Sequence, residues 1–148
     1  MTEHGPVRIA FVCVQNAGRS QMAYALADRE LDRSSLDSEI ELLTGGTRPA
    51  ARIHPVVVEA MAAIGLDVSN RTPRELTIDE LQRCDLVITM GCSAEDVCPA
   101  GWGGENRDWD LPDPHGEPLE RVVEIRNEIQ RRVVQLLDEF VGSDRLSG

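Results

Sequence analysis

Residues 9–22 carry the side chains that oxyanion chemistry needs. An apolar run that begins at Ile9 leads to Cys13, and Arg19 and Ser20 follow where a helical pattern starts. A buried strand, a short loop and a helix N-terminus in this order gather backbone N–H groups around one point, which makes an anion site. The guanidinium of Arg19 is a planar fork suited to a tetrahedral oxyanion. The same positive field favours the thiolate of Cys13, which is the nucleophilic form.

The spacing of Cys13 and Arg19 indicates a catalytic role because the two residues lie at a strand-to-helix junction. A Cys-x5-Arg spacing by itself is common, and it would also fit a buried cysteine followed by a surface arginine. Ser20 adds a hydroxyl that could donate to the sulfur, and the loop lacks the Gly-Lys-Ser/Thr of a Walker loop. We predict that Cys13 and Arg19 are catalytic. The predicted oxyanion-binding residues are Val14, Gln15, Asn16, Ala17, Gly18, Arg19 and Ser20.

Asp113 is the candidate general acid. A carboxyl group near the anion could protonate the departing oxygen, and Pro112 and Pro114 on either side would stiffen its loop. An Asp-Pro turn without any catalytic role is the alternative reading of this stretch. Asp108 and Asp110 compete for the same role.

Cys92 and Cys98 are candidates for a redox relay. They lie in the most glycine-rich stretch of the chain, where a change of backbone conformation costs least. If residues 93–97 were helical in the reduced protein, the two Cα atoms would lie about 9 Å apart along the axis. A disulfide needs about 4.4–6.8 Å, so joining the two sulfurs would unwind the segment. The alternative is two small apolar residues in a loop.

The remaining cysteine and the histidines suggest no further site. Cys84 precedes an apolar strand pattern, and we interpret it as a core residue. Cys92 and Cys98 lack Cys-x-x-Cys spacing, and the histidines are scattered at His4, His54 and His115. We therefore predict no metal site and no cofactor.

Length and charge limit the class of protein. The chain has 148 residues, which fits one catalytic domain with a core at about 7–141 and a frayed tail at 142–148. The net charge is −11, with 15 arginines and no lysine, so a nucleic-acid partner is not expected. No apolar run reaches the roughly 20 residues of a membrane span, and the N-terminus has no signal-peptide pattern. We expect a cytoplasmic monomer without a membrane partner.

The pattern of elements predicts an α/β fold. Strands are expected near 9–14, 39–43, 85–90 and 106–109, and helices near 20–33, 54–64, 77–83 and 118–141. Gly45-Gly46 is interpreted as a loop after the second strand. Alternating strands and helices favour a four-stranded parallel sheet between helical layers, a three-layer sandwich. Ligands of such folds bind beyond the carboxyl ends of the strands, where the candidate residues fall.

These motifs resemble the low-molecular-weight phosphotyrosine phosphatases, from about Val7 to Phe140. The resemblance rests on Cys13-Val-Gln-Asn-Ala-Gly-Arg-Ser-Gln-Met-Ala23 together with Asp113-Pro114. Within that family, the chain is similar to the thiol-dependent arsenate reductases. The motifs that carry this second resemblance are Arg19-Ser-Gln-Met-Ala23, His54-Pro55 with Ala60-Met61, Ile88-Thr-Met-Gly-Cys92 and Cys98-Pro99.

The resemblance implies a mechanism with three cysteines. Cys13 would attack arsenate held by the loop amides and Arg19, and Asp113 would protonate the departing oxygen. Cys92 would then attack the Cys13 adduct, which releases arsenite and leaves a disulfide. Cys98 would attack Cys92 and move the disulfide outward for thioredoxin or a similar thiol reductant. Asn16 would organise the loop.

Three residues depart from the family pattern. Gln15 stands where many members have glycine, and Gly18 replaces a residue that is often cysteine. Tyr24 replaces a glutamate that helps several reductases bind potassium, so we predict no potassium site.

Two other functions remain open from the sequence. A phosphotyrosine or phosphate-ester phosphatase would need Cys13, Arg19 and Asp113 but neither Cys92 nor Cys98. It would also need aromatic walls around a phenyl ring, for which only Trp102 and Trp109 are near Asp113 in sequence. A non-catalytic oxyanion-binding module would need no general acid and no mobile thiols. We favour arsenate reduction because both additional thiols are present.

Overall fold

The protein is represented by a computed structural model, which describes residues 6–34, 39–92, 97–98 and 100–147. Its strands are β1 (Val7–Cys13), β2 (Ile40–Gly46), β3 (Leu86–Met90) and β4 (Glu105–Asp108). Its helices are α1 (Arg19–Ser34), α2 (Pro55–Ala62), α3 (Ile78–Gln82) and α4 (Leu119–Ser147). None of the helices in these ranges is long and apolar enough to cross a membrane.

The four strands form one parallel sheet in the order β2-β1-β3-β4. This arrangement confirms the predicted α/β fold with a four-stranded parallel sheet. β1 is central, and its last residue, Cys13, is in register with Gly46 on one side and Met90 on the other. The nucleophile candidate therefore lies at the carboxyl edge of the sheet, between its two longest pairings.

Alternating side chains of β1 belong to two apolar clusters on opposite faces of the sheet. Ile9, Phe11 and Cys13 belong to the larger cluster, with the buried faces of α1, α2 and α4. Ala10 and Val12 belong to the smaller cluster, which α3 and its neighbours cover. The period of two along a strand causes this division. The apolar residues spaced along one face of α4, which are Val122, Ile125, Ile129, Val133 and Leu136, are all buried.

The prediction of a loop at Gly45-Gly46 is wrong, because both glycines belong to β2. The second glycine permits a close approach of the next loop. A Cβ atom on Gly46 would lie 2.5 Å from the carbonyl oxygen of Val14 and 2.8 Å from the nitrogen of Asn16. Glycine here thus reflects packing against the anion loop and not the end of a strand.

The helix ends agree with the sequence at α3 and differ at α4. Thr77 and Glu80 form a capping box at the start of α3, in agreement with the helix expected near 77–83. α4 continues to Ser147, where a frayed tail from 142 onward was expected. Gly142 disfavours a helix by only about 1 kcal/mol relative to alanine, and no proline follows it.

Candidate active site

The loop between β1 and α1 is held from outside by its carbonyl groups. Four of its carbonyl oxygens accept hydrogen bonds of 2.7–3.1 Å from the segment between β2 and α2. The acceptor and donor pairs are Cys13 with Thr47, Val14 with Arg48, Gln15 with Ala50, and Ala17 with His54. These bonds fix the loop conformation before any ligand binds, so the loop amides need little reorganisation to receive an anion.

The sulfur of Cys13 lies among polar groups at the foot of this loop. It is 2.8 Å from the Oγ of Ser20, and it accepts a hydrogen bond from the backbone N–H of Asn16 at 3.3 Å. Asn16 has a φ of 53°, a left-handed conformation that asparagine tolerates better than most residues. This conformation lets the Asn16 amide turn back toward the sulfur.

Arg19 is nearly buried beside the loop, with 9% of its surface exposed. Its Nη1 donates to the carbonyl oxygen of Leu111 at 2.8 Å, and its Nη2 lies 4.0 Å from Oδ2 of Asp113. Gly91 packs directly on the guanidinium: its φ is 85°, and a Cβ there would lie 2.5 Å from Nη2. The side chain of Arg19 is therefore held by two separate segments, the loop with Leu111 and Asp113 and the turn at Gly91.

Asp113 faces the same small cavity as Cys13. The lining residues are Cys13, Val14, Gln15, Gly18, Arg19, His54 and Asp113. The carboxylate is 61% exposed, and its Oδ1 accepts a hydrogen bond from the His115 backbone at 3.0 Å. Its competitors, Asp108 and Asp110, line a different cavity. Of the three aspartates considered, Asp113 alone shares the cavity with the thiol of Cys13.

Asp108 and Asp110 line an open groove of about 560 Å³ on the β3–β4 side. The other lining residues are Arg19, Thr89, Gly91, Cys92, Asn106 and Leu111. Asp108 is also tied down, because Oγ1 of Thr89 donates to its Oδ1 at 3.0 Å. Arg19 lines both the groove and the smaller cavity, so the two spaces meet at its guanidinium.

Cys92 reaches back to β1. Its sulfur lies 3.5 Å from the carbonyl oxygen of Val12, the residue before Cys13. Burial raises the pKa of the Cys92 thiol to about 11. A hydrogen bond from the Met90 backbone opposes this increase, whereas the negative charges of Cys13 and Asp108 add to it. Cys92 is therefore a protonated thiol at neutral pH.

Cys98 and Cys92 both pack against the smaller apolar cluster. Burial also raises the pKa of Cys98. The hypothesis of a helical segment between the two cysteines concerns residues 93–97, of which 93–96 lie outside the described ranges. The interpretation of Cys84 as a core residue agrees with its burial and with the hydrogen bond from its sulfur to the Glu80 carbonyl.

A pair of histidines at the cavity was not predicted from the sequence. The rings of His54 and His115 lie 4.7 Å apart, and His54 lines the cavity of Cys13. Burial lowers the pKa of His54, His115 lowers it further, and Asp113 opposes the decrease. Only the fold brings these residues together, because they are 61 positions apart in sequence. Among the residues that the structure describes, no group of three or more His, Cys, Asp or Glu side chains could hold a metal ion.

The fold and the site define a class of protein, and comparison with known families agrees. The low molecular weight phosphotyrosine protein phosphatase family matches residues 8–145. The chain belongs to this family, which confirms the resemblance seen in the motifs.

Individual relatives carry names that include arsenate reductase. A protein of Halobacterium salinarum named "Putative arsenate reductase" is 50% identical over 149 residues, which cover 97% of this chain and 100% of the relative. The structure of a thioredoxin-dependent arsenate reductase of Corynebacterium glutamicum matches with a TM-score of 0.75 and 34% identity. That match covers 96% of this chain and 65% of the Corynebacterium chain.

A third similar protein is also a solved structure. It is an arsenate reductase in the phosphate binding state, with a TM-score of 0.73 and 29% identity. The match covers 90% of this chain and 98% of that one.

Proposed function

We propose that this protein is an arsenate reductase that forms arsenite through a nucleophilic cysteine and an intramolecular disulfide relay. The names of its relatives support this activity. The single observation that favours reduction over hydrolysis is the position of Cys92. Its thiol contacts the backbone of β1 one residue before Cys13, where a hydrolase needs no second sulfur.

In the first step, arsenate occupies the cavity between the loop amides and Arg19. The thiolate of Cys13 attacks arsenic, and an As–S bond forms while an As–O bond breaks. The departing oxygen takes a proton from Asp113 and leaves as water. The position of Asp113 beside Arg19, in the cavity that Cys13 also lines, supports this assignment, since a general acid must reach the leaving oxygen.

In the second step, the sulfur of Cys92 attacks the sulfur of Cys13. The S–S bond forms, the S–As bond breaks, and its electron pair stays on arsenic, which is thereby reduced from As(V) to As(III). Cys92 must lose its proton before or during this attack, because its pKa of about 11 keeps it protonated at neutral pH. Arsenite leaves from the cavity.

In the third step, Cys98 attacks Cys92 and releases Cys13 as a thiolate. The Cys92–Cys98 disulfide is then reduced by thioredoxin or a similar dithiol, whose own thiols become a disulfide. The contact of both cysteines with one apolar cluster supports this exchange. We also propose that the chain works as a cytoplasmic monomer with a single catalytic domain.

The test is arsenate-dependent oxidation of thioredoxin by the wild type and by Cys92→Ser and Cys98→Ser variants. Cys84→Ser is the matched control, because Cys84 is a buried thiol outside the relay. We expect turnover to be lost in the first two variants and kept in the control. If all variants oxidise thioredoxin at the wild-type rate, the relay is wrong.

Phosphate-ester hydrolysis is the second candidate, because the family is one of phosphatases. It would use the same Cys13, Arg19 and Asp113 with a phosphorylated cysteine intermediate. Few aromatic side chains are available to bind the phenyl ring of an aryl phosphate. Trp109 packs on Phe11 in the core, with ring centroids 5.9 Å apart, and Nε1 of Trp102 donates to the Cys84 carbonyl. In the described part of the chain, no Phe, Tyr or Trp lines the cavity.

Hydrolysis of an aryl phosphate separates the two candidates. We expect slow release of the aryl alcohol that Cys92→Ser and Cys98→Ser leave unchanged. Fast hydrolysis without any arsenate turnover would favour the phosphatase.

A further inference from the structure

A buried polar network lies behind the anion loop. Asn16 and Gln21 are almost completely buried, with 0% and 1% of their surfaces exposed. Oδ1 of Asn16 accepts from Nε2 of Gln21 at 3.0 Å and from the backbone N–H of Arg74 at 3.1 Å. Both amide side chains thus form hydrogen bonds with other groups of the protein. Each has only one orientation in which its donors and acceptors match those of its neighbours.

Arg71 fixes the direction of this network at its outer end, and the backbone N–H of Arg74 supports the same direction at Asn16. Nε of Arg71 donates to Oε1 of Gln21 at 2.7 Å. Because a guanidinium has donors and no acceptor, the oxygen of Gln21 must face Arg71. The NH₂ group of Gln21 then faces Asn16, and the NH₂ group of Asn16 faces the site. The guanidinium of Arg71 is held over the ring of Tyr24, 4.1 Å from its centroid.

The inner end of the network reaches the sulfur. Nδ2 of Asn16 donates to Oγ of Ser20 at 2.7 Å and to Oγ1 of Thr44 at 2.9 Å. The hydroxyl of Thr44 donates to the Phe11 carbonyl at 2.9 Å. Ser20 accepts from Asn16, so its own hydrogen is available for the sulfur of Cys13 at 2.8 Å. A hydrogen bond donated to a thiolate stabilises the charged form.

We propose that Arg71 is a positioning residue that, through Gln21 and Asn16, directs the hydroxyl hydrogen of Ser20 to the sulfur of Cys13. The importance of this direction rests on the proposed function, in which the thiolate of Cys13 makes the first attack. Arg71 itself touches neither the anion nor the sulfur. It acts as a permanent donor at the far end of four successive hydrogen bonds, each of which fixes the orientation of the next group.

The test uses alkylation of Cys13 by iodoacetamide as a function of pH, which requires no arsenate turnover. The background carries Cys84→Ser, Cys92→Ser and Cys98→Ser, so that Cys13 is the only thiol. We expect Arg71→Met to slow alkylation about tenfold at the low end of the pH range and to leave the rate at the high end unchanged. A tenfold change corresponds to about 1.4 kcal/mol, close to the lower end of the range of about 1.5–3 kcal/mol for a hydrogen bond to a charged group.

A double-mutant cycle separates this relay from a simple effect of charge. In a Ser20→Ala background, Arg71→Met should change alkylation less than twofold, because the last donor is already absent. If Arg71→Met has an equal effect with and without Ser20, the charge of Arg71 acts through space and the proposal is wrong. Arg83→Met is the matched control, since Arg83 is exposed and pairs with Asp79 away from the site.

A second variant keeps the proposal testable if Arg71→Met does not fold. Circular dichroism would reveal such a loss of the fold. Gln21→Glu still accepts from Arg71 but cannot donate to Asn16, so it should slow alkylation of Cys13 in the same way. The same cycle with Ser20→Ala removes the contribution of the added charge. An unchanged pH profile in both Arg71→Met and Gln21→Glu would overturn the proposal even if arsenate turnover is confirmed.

Discussion

The guanidinium of Arg19 donates to the carbonyl oxygen of Leu111, and this bond joins the start of α1 to the loop that carries Asp113. The bond brings two candidate catalytic residues 94 positions apart in sequence to within 4.0 Å of each other. An anion bound by Arg19 would therefore lie within reach of Asp113 without movement of either loop.

Replacement of Arg19 by lysine should lower kcat/KM for arsenate about a hundredfold, the usual cost of losing a well-placed donor to an oxyanion. Lysine keeps the charge but cannot hold the Leu111 carbonyl and the anion with one planar group. Steady-state kinetics measures the effect, with Arg52→Lys as an exposed control. Equal kcat/KM values for the two variants would contradict this role of Arg19.

Replacement of Gly91 by alanine should impair both folding and activity. A left-handed φ is costly for alanine, of order 1–3 kcal/mol, and the new Cβ would displace the guanidinium of Arg19. Gly65→Ala is the matched control, because Gly65 has a φ of 82° with no atom within 4 Å of the added Cβ. Both variants should lose stability in chemical denaturation, but only Gly91→Ala should lose affinity for phosphate. Normal phosphate binding by Gly91→Ala would be inconsistent with the close contact.

The relay step should accelerate with pH. Because burial raises the pKa of Cys92 to about 11, its thiolate fraction grows about tenfold for each pH unit below that value. Arsenite release in a single turnover of Cys98→Ser protein, sampled by rapid quench between pH 7 and 9, should follow this increase. Alkylation of Cys13 in Cys92→Ser protein supplies the control for the first thiol. A release rate independent of pH would show that deprotonation of Cys92 does not limit this step.

His54 should make the fold less stable in acid. Because burial lowers its pKa in the folded state, the unfolded chain binds more protons as pH falls below about 6.5, the ordinary value. Stability should therefore decrease from about pH 6.5 downward until His54 is protonated in the folded state as well. Thermal unfolding at pH 8 and pH 5 should show a smaller loss for His54→Gln than for the wild type. His115→Gln, which leaves His54 buried, should retain most of the acid sensitivity.

Local patterns in the sequence were sufficient to predict the sheet and to place the candidate site residues near its carboxyl edge. The run into Cys13 and the helical pattern after Arg19 predicted β1 and α1, because both depend on neighbouring residues. The capping box at Thr77 and the apolar face of α4 are local signals of the same kind. The parallel arrangement followed from the alternation of strands and helices.

Contacts between distant segments could not be predicted in this way. Gly46 looked like a turn residue, but its small size is required by the anion loop that packs on it. The stacking of His54 on His115 and the bond from Arg71 to Gln21 join residues 61 and 50 positions apart. Nothing in the local sequence marks such pairs, because their chemistry depends on which segments the fold brings together.

The alternation of side chains along β1 has a consequence for where the two substrates would reach the enzyme. Cys13 belongs to the cluster on one face of the sheet, whereas Cys92 and Cys98 pack against the cluster on the other face. The proposed relay would transfer the disulfide around the edge of the sheet, from the cavity that binds the small anion to the face where a protein reductant would bind. Arsenate and the dithiol reductant would then bind at separate sites, so that neither would block the other.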